Sequence, residues 1–575
     1  MTANLKVSLR TGFFGGTIAL FISVIGMTET FNQRDIITDL LSIGYALLLI
    51  ITAVTGYFAA DRIANTFNLQ QNDERQSSSI QAIIGGSFAG LLVGIPLALL
   101  ALVANTVDLR AVLINISPEL ISLLTFSLDF LPGIFLLLVL GILIGGLAAI
   151  MYFLPSKLRN PLVAGLLAVV IAGLISGLIR TTFSEIGLPS AVSKLFVTSS
   201  GLTLISAAII FLVVIGITFT RRRWSETIRN RVEELPDPQR LYLRYGTWAA
   251  IILILLILPQ LVGRVTSDVL VLVGIYVLMG FGLNIVVGKA GLLDLGYVAF
   301  FAVGAYSTAI LTSADELPGI QLSFWTAIPI VILITGIAGL LVGAPVLRMR
   351  GDYLAIVTLG FGEIARFLAL SDWFKPWLGG AQGVVQIPNA AVGSIELGTP
   401  QTLYYLVLLF TLIALIISLR LDESRVGRAW EAMREDEQVA ETMGINTIYY
   451  KLLAFGMGAM IASLGGAVFA VKLSAIFPHS FDVEVSITVL SLLIIGGLGS
   501  LPGVIVGAFA LVGIPELLRE FSEYRLLLYG AVIIIMMIVR PEGLVPSARR
   551  ARELHEDEAS QDDWLKSEAA AASSK

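Results

Sequence analysis

The sequence predicts an all-α polytopic integral membrane protein with about sixteen transmembrane segments. Three observations carry this expectation. Of the 575 residues, 56% are hydrophobic, and the mean hydropathy is +0.89. Only 14% are charged, against about a quarter in soluble domains, so a soluble fold would lack the polar residues to cover its surface. Apolar runs of roughly 20 residues, the length a bilayer needs, recur along the chain. The net charge of -5 gives no reason to expect a nucleic-acid partner. There are no cysteines, which excludes disulfides, thiolate metal sites and cysteine nucleophiles. The two histidines, His479 and His555, stand far apart, so no metal site is expected.

The runs divide into two groups. Residues 1–220 hold about six, near 11–27, 38–60, 82–104, 131–153, 161–179 and 196–219, and read as an additional N-terminal membrane domain. The first, Gly12 to Gly26, has no small-x-small cleavage site before Glu29 and reads as a retained helix, not a signal peptide. An arginine-rich stretch at 221–245, containing Pro236 and Pro238, reads as a cytoplasmic linker with a surface helix. Residues 246–545 hold about ten more runs, near 246–262, 269–288, 291–311, 325–347, 353–370, 401–419, 452–471, 485–498, 503–516 and 526–539. The tail 546–575 is hydrophilic, ends in low complexity and reads as disordered.

Lysine and arginine placement sets the orientation, because positive loops stay cytoplasmic. Lys6 and Arg10, Arg62 and Arg75, Lys157 and Arg159, and the seven arginines of 221–244 fall on one side if every run spans. Arg348, Arg350, the loop 420–451 and Arg540 join them. The opposite loops carry acids such as Asp108, Glu119, Asp129, Asp315 and Glu316. Both termini are therefore expected in the cytoplasm. Small residues in FFGGTIAL, IIGGSFAGLL and PLVAGLLAVV would let helices approach closely, either as repeated hairpins or as generic membrane composition.

The stretch GLNIVVGKAG, Gly282 to Gly291, invites comparison with a phosphate-binding loop. That motif needs four residues between its glycines and Ser or Thr after the lysine. Here five residues separate Gly282 from Gly288, and Ala290 follows Lys289. The flanks are membrane segments, so the chain itself is not expected to bind nucleotide.

The loop 420–451 is the longest charged loop of the second group. Val426, Ala429, Trp430, Met433, Val439, Ala440 and Met443 recur at mostly helical spacing beside Arg428, Glu431, Arg434, Glu435, Asp436 and Glu437. This predicts one amphipathic helix ended by Gly444. It is either a solvated surface helix or a docking segment.

Five blocks in order then carry a resemblance: GLNIVVGKAGLLDLGYVAFFAVGAYSTAIL from Gly282, LRMRGDYLAIVTLGFGEIARF from Leu347, GRAWEAMREDEQVAETMGINTIYYKLLAF from Gly427, FPHSFDVEVSITVLSLLIIGGLGSLPGVIVGA from Phe477 and VRPEGL from Val539. Together they resemble the LivM-type permeases of branched-chain amino acid ABC importers. The first 240 residues do not resemble that core. The resemblance implies a second, LivH-type permease, two ABC ATPase subunits and an extracytoplasmic substrate-binding protein as partners. ATP and Mg would be used by the ATPases, with no cofactor on this chain. It implies that Trp430, Met433, Arg434, Glu435, Asp436, Glu441 and Gly444 couple to an ATPase. Glu441 to Gly444 looks like a shortened form of the acidic loop of ABC permeases. Where the family has a small polar residue and a histidine, this chain has Asp294 and Tyr297.

Ionisable and polar residues within spans are candidates for a pathway. Asp294 either faces the pathway and attracts an ammonium group or pairs with Lys289. Glu363 and Arg366, three apart on one helix face, are expected to pair as a structural unit. Asn284 needs a hydrogen-bond partner, expected across helices. Tyr297 joins these candidates. Gly496, Gly497 and Gly499, with Pro502 and Gly503, break a helix where transporters need non-helical backbone, although a tight turn would explain them too. His479 is expected on the external side. The combined reading is an importer permease of the plasma membrane for leucine, isoleucine, valine or related small amino acids. The alternatives are a permease for urea or short amides, an ion-coupled secondary transporter using Asp294 and Glu363, and a membrane scaffold.

Overall fold

A computed structural model describes residues 2–68, 75–185, 187, 190–198, 200–233, 237–313, 321–346, 349, 351–517 and 542–546, with scattered positions between 524 and 540. Most of the span expected at 526–539, the tail from 547, Asp315, Glu316, Arg348 and Arg350 lie outside these residues. So do the side chains of the arginine-rich stretch 221–241. The chain divides into two units, Met1–Ala250 and Ile251–Lys575.

Among the described residues, 11 helices are long and apolar enough to cross a membrane. This does not confirm the expected count of sixteen, and the remaining runs have definite places. The apolar runs Leu204–Thr220, Val298–Thr312 and Leu501–Leu517 are helices too short for that criterion. The runs expected at 246–262 and 269–288 form one apolar stretch, Ala249–Lys289, of 41 residues. At roughly 20 residues per crossing that length equals two spans.

The first unit is built from α1 (Thr2–Val24), α2 (Ile43–Asn68), α3 (Arg75–Thr106), α4 (Phe130–Phe153), α5 (Ser156–Leu174) and α6 (Leu204–Glu233). In a bilayer no hydrophobic force draws helices together, so close contact of small residues does the work. A Cβ on Gly56 of α2 would lie 2.6 Å from Gly145 Cα of α4, and one on Gly141 of α4 would lie 2.6 Å from Gly90 O of α3. These three backbones touch where the glycines sit.

The second unit begins within α7 (Asp237–Leu283), which is kinked at Gly263, where φ is 78°. A π-helix, Asn284–Lys289, continues it. Then come α8 (Val298–Thr312), α9 (Phe324–Val346), α10 (Asp352–Leu370) and α11 (Pro400–Asp422). Two short helices follow, α12 (Arg425–Glu435) and α13 (Glu437–Thr442). The long α14 (Thr447–Leu473) leads to α15 (Val483–Gly496) and α16 (Leu501–Ala508). Helix α14 and the stretch Ala249–Lys289 form the middle of the unit, with 72% and 78% of their apolar windows buried, against half or less in the other spans. Helix α14 achieves this with small residues. A Cβ on Gly304 of α8 would lie 2.6 Å from Ser463 Cα, and one on Gly339 of α9 would lie 2.7 Å from the Ala459 Cβ. Beyond α14, Ala475–Ile476 pairs antiparallel with Val384–Val385. That end is opposite the one bearing α12 and α13.

Candidate functional site

The site grows from Asn284. A π-helix is wider than an α-helix and occurs mostly as single turns at functional positions. Here it places the buried Asn284 amide beside a second irregular segment, and the Asn284 Oδ1 accepts from Gly499 N at 3.0 Å. That second segment is the break between α15 and α16. Gly497 and Gly499 have φ of 119° and 80°, which ends α15 before Ser500 caps α16 by accepting from Gly503 N at 3.1 Å. Non-helical backbone at membrane depth survives only where protein or water satisfies it. Protein does so here: Leu544 N donates to Ile495 O at 2.8 Å, and Val545 N to Gly496 O at 2.9 Å. The break expected from the glycines is present, and the segment that closes it comes from the VRPEGL block.

The charged loop is not one helix. Asp436 leaves helical geometry, ends α12 and caps α13 by accepting from Gln438 N at 2.9 Å and Val439 N at 3.1 Å. Ser424 caps α12 in the same way. Short polar side chains compete with the helical ladder for backbone N–H groups, which is why an aspartate splits the predicted helix. Gly444, with φ of 88°, ends α13 in a Schellman arrangement in which Ile445 N donates to Ala440 O and Gly444 N to Glu441 O. The apolar face of α12 turns inward. Trp430 is 1% exposed and its Nε1 donates to Tyr450 O at 2.8 Å, while Met433 is buried beside it. Glu435 and Glu441 remain exposed, as do Val439 (56%) and Met443 (79%).

Arg434 and Lys289 tie this loop to the π-helix. The Arg434 guanidinium donates to Gly288 O. Lys289 Nζ lies 3.1 Å from Asp422 Oδ2 and 3.6 Å from Glu431 Oε1. The pair expected as one reading of Asp294, with Lys289, is therefore not formed. Gly291, with φ of 72°, turns the chain between them, and Lys289 points to the loop. Asp294 lies in the non-helical stretch before α8 and is 1% exposed. Its Oδ1 accepts from Gly296 N at 2.9 Å, while its Oδ2 is buried without a hydrogen-bond partner among the described residues. Tyr297, equally buried, donates to Gly458 O at 2.8 Å. Thr358 and Ser486 satisfy the same stretch, accepting from Leu295 N at 3.0 Å and Val298 N at 2.9 Å. Sequence reasoning missed both; their only signal is a lone hydroxyl in an apolar run.

The expected Glu363–Arg366 pair forms, with Arg366 Nη2 at 2.7 Å from Glu363 Oε2, and Arg366 Nη1 also reaches Asp482 Oδ1 at 3.3 Å. A cavity of about 210 Å³ beside it is lined by Tyr276, His479, Asp482, Glu484, Thr488 and Glu516, with Leu272, Val485 and Val512. It lies at the end of α14 away from α12 and α13. Gly282 to Lys289 runs as α-helix and then π-helix, so no strand–loop–helix phosphate cradle exists there.

The family model described as branched-chain amino acid transport system / permease component matches residues 265–539. The permease protein LivM of the high-affinity branched-chain amino acid transport system of Escherichia coli K12 is 39% identical over 334 residues, covering 54% of this chain and 76% of that protein. The chain belongs to this permease family. The LivM protein of Salmonella typhimurium is 38% identical over 344 residues, covering 56% of this chain and 78% of that protein. The permease is also 25% identical over 291 residues to LivH of Salmonella typhimurium, covering 47% of the chain and 91% of that protein. No solved structure matches it. The π-helix, the charged loop and the break all lie within the matched residues, and the permease carries more than 200 residues before them.

Proposed function

We propose that the chain is one permease subunit of an ATP-driven importer that carries branched-chain or related small amino acids across the plasma membrane. One observation carries this reading: a charged helix pair projects exposed apolar side chains at one end and grips the π-helix at its root. Val439 and Met443 project outward, while Arg434 and Lys289 bind the pair to the π-helix. A loop that only turned the chain would need neither feature. ATP and Mg would act on partner ATPases, on the cytoplasmic side together with both termini. Glu435, Asp436, Glu441 and Gly444 would shape the docking surface, with Trp430 and Met433 holding it from within. The pathway candidates are Asn284, Asp294, Tyr297, Glu363 and the Gly496–Gly499 break. The names of LivM and LivH relatives support the substrate class and a two-permease assembly. An extracytoplasmic binding protein would deliver the amino acid; related permeases for urea or short amides are the alternative cargo.

The burial of the Asp294 carboxyl among membrane-domain helices favours a second reading, an ion-coupled transporter that needs no ATPase. Co-purification with ABC ATPase subunits, followed by leucine, isoleucine and valine uptake into proteoliposomes, separates the two. Uptake that requires ATP and the ATPases is the expected result. Uptake driven by a proton or sodium gradient without them would overturn it.

A further inference from the structure

We propose that Arg434 is the residue through which movement of the charged loop reaches the membrane break, by holding the loop and the π-helix together as one body throughout transport. The inference rests on the importer reading above. The last carbonyls of a helix have no partner within it and need one from outside. Ala290 N and Leu292 N bond back to Ile285 O and Val286 O, and the Arg434 guanidinium takes Gly288 O. A charge-assisted bond of this kind is about twice as strong as a neutral one.

The contact is more than a cap, because four residues meet there. A Cβ placed on Gly288 would lie 2.9 Å from Gly499 N, and one placed on Gly499 would lie 3.4 Å from Gly288 O and 3.5 Å from Arg434 Nη1. Asn284, one turn back in the π-helix, holds Gly499 N itself. The loop, the π-helix and the break therefore converge on a single point. Gly291 allows this approach: a Cβ there would lie 2.9 Å from Arg434 Cγ and 3.3 Å from its Cα. Lys289 adds a second attachment through Asp422 and Glu431. A one-turn π segment carries the connection, and such turns occur mostly at functional positions.

The test uses the assembled complex in proteoliposomes, reading ATPase co-purification, ATP hydrolysis and leucine, isoleucine and valine uptake. Arg434→Ala is expected to keep ATPase association and hydrolysis within about twofold while uptake falls at least about tenfold, with Arg434→Lys recovering part of it. Because the chain has no cysteines, Lys289→Cys and Glu431→Cys can be bridged by a bifunctional methanethiosulfonate, which joins each thiol through a reducible disulfide and releases sulfinate. Bridging in the Arg434→Ala background is expected to restore uptake and reduction to abolish it. Uptake retained in Arg434→Ala, loss of ATPase association together with uptake, or inhibition by the bridge would each overturn the inference. Failure of the unaltered chain to capture any ATPase would instead remove the importer reading on which it depends.

Discussion

Asn284 and Gly499 stand 215 positions apart, yet one buried hydrogen bond joins them, from Gly499 N to Asn284 Oδ1 at 3.0 Å. The bond connects a π-helix to a helix break, two irregular elements that each need outside support. An unsatisfied buried donor costs about 1–3 kcal/mol. Asn284→Ala is therefore expected to lower the melting temperature of the purified chain in detergent and to speed amide exchange at Gly499. An unaltered melting curve would mean that water or a rearranged break replaces the bond.

The two faces of the charged loop should respond differently. Trp430→Ala removes a fully buried side chain and its bond to Tyr450 O, at a cost of about 3–5 kcal/mol. Met443→Ser acts on an exposed side chain, so its stability effect should stay within about 0.5 kcal/mol. Met443→Ser should nevertheless weaken ATPase capture, read as loss of the ATPase band after affinity purification. Equal capture by Met443→Ser and the unaltered chain would move the docking surface elsewhere.

Asp294 tests the pathway. Its Oδ1 takes Gly296 N, and its Oδ2 has no partner among the described residues. A turn residue needs only the first of these, which asparagine can also supply. Asp294→Asn should therefore fold normally, and a drop in uptake of about tenfold, equivalent to about 1.4 kcal/mol, is expected if the second oxygen meets the cargo or its proton. Normal uptake would leave Asp294 with a role in the turn alone.

Gly291→Ala should reproduce the Arg434 phenotype from the other side of the contact. The left-handed φ of 72° costs a residue with a Cβ roughly 1–2 kcal/mol. The added carbon would also press on the Arg434 stem. Uptake should fall more than ATP hydrolysis. A parallel fall in both would indicate general misfolding, to be checked by the melting temperature.

Much of this arrangement is legible in the sequence because it depends on local chemistry. Gly497 and Gly499 announce the break, since few other residues take their positive φ, and Gly496 allows the close approach of Gly503. The charge of 420–451 marks a loop between spans, and Gly444 marks the end of its second helix. The rest depends on partners distant in the chain. Asp436 looks like one more charge on a helix face until it is seen capping α13. Lys289 has an acid five residues away, but the turn at Gly291 sends it to Asp422 and Glu431 instead. Thr358, Ser486 and Leu544 give no local sign of the backbone groups they satisfy. The start of one run differs for a related reason: hydropathy marks 291–297 as membrane but cannot see that it is not helical.

The pairing of Leu544 and Val545 with Ile495 and Gly496 has a consequence for biosynthesis. Ribosomes deliver the break well before the segment that seals it. Until about fifty more residues have been made, the carbonyls of Ile495 and Gly496 wait for donors not yet synthesised. The break is thus closed by two residues just beyond the family match, and a chain cut just before Leu544 would be inserted but never locked, an easy target for membrane proteolysis.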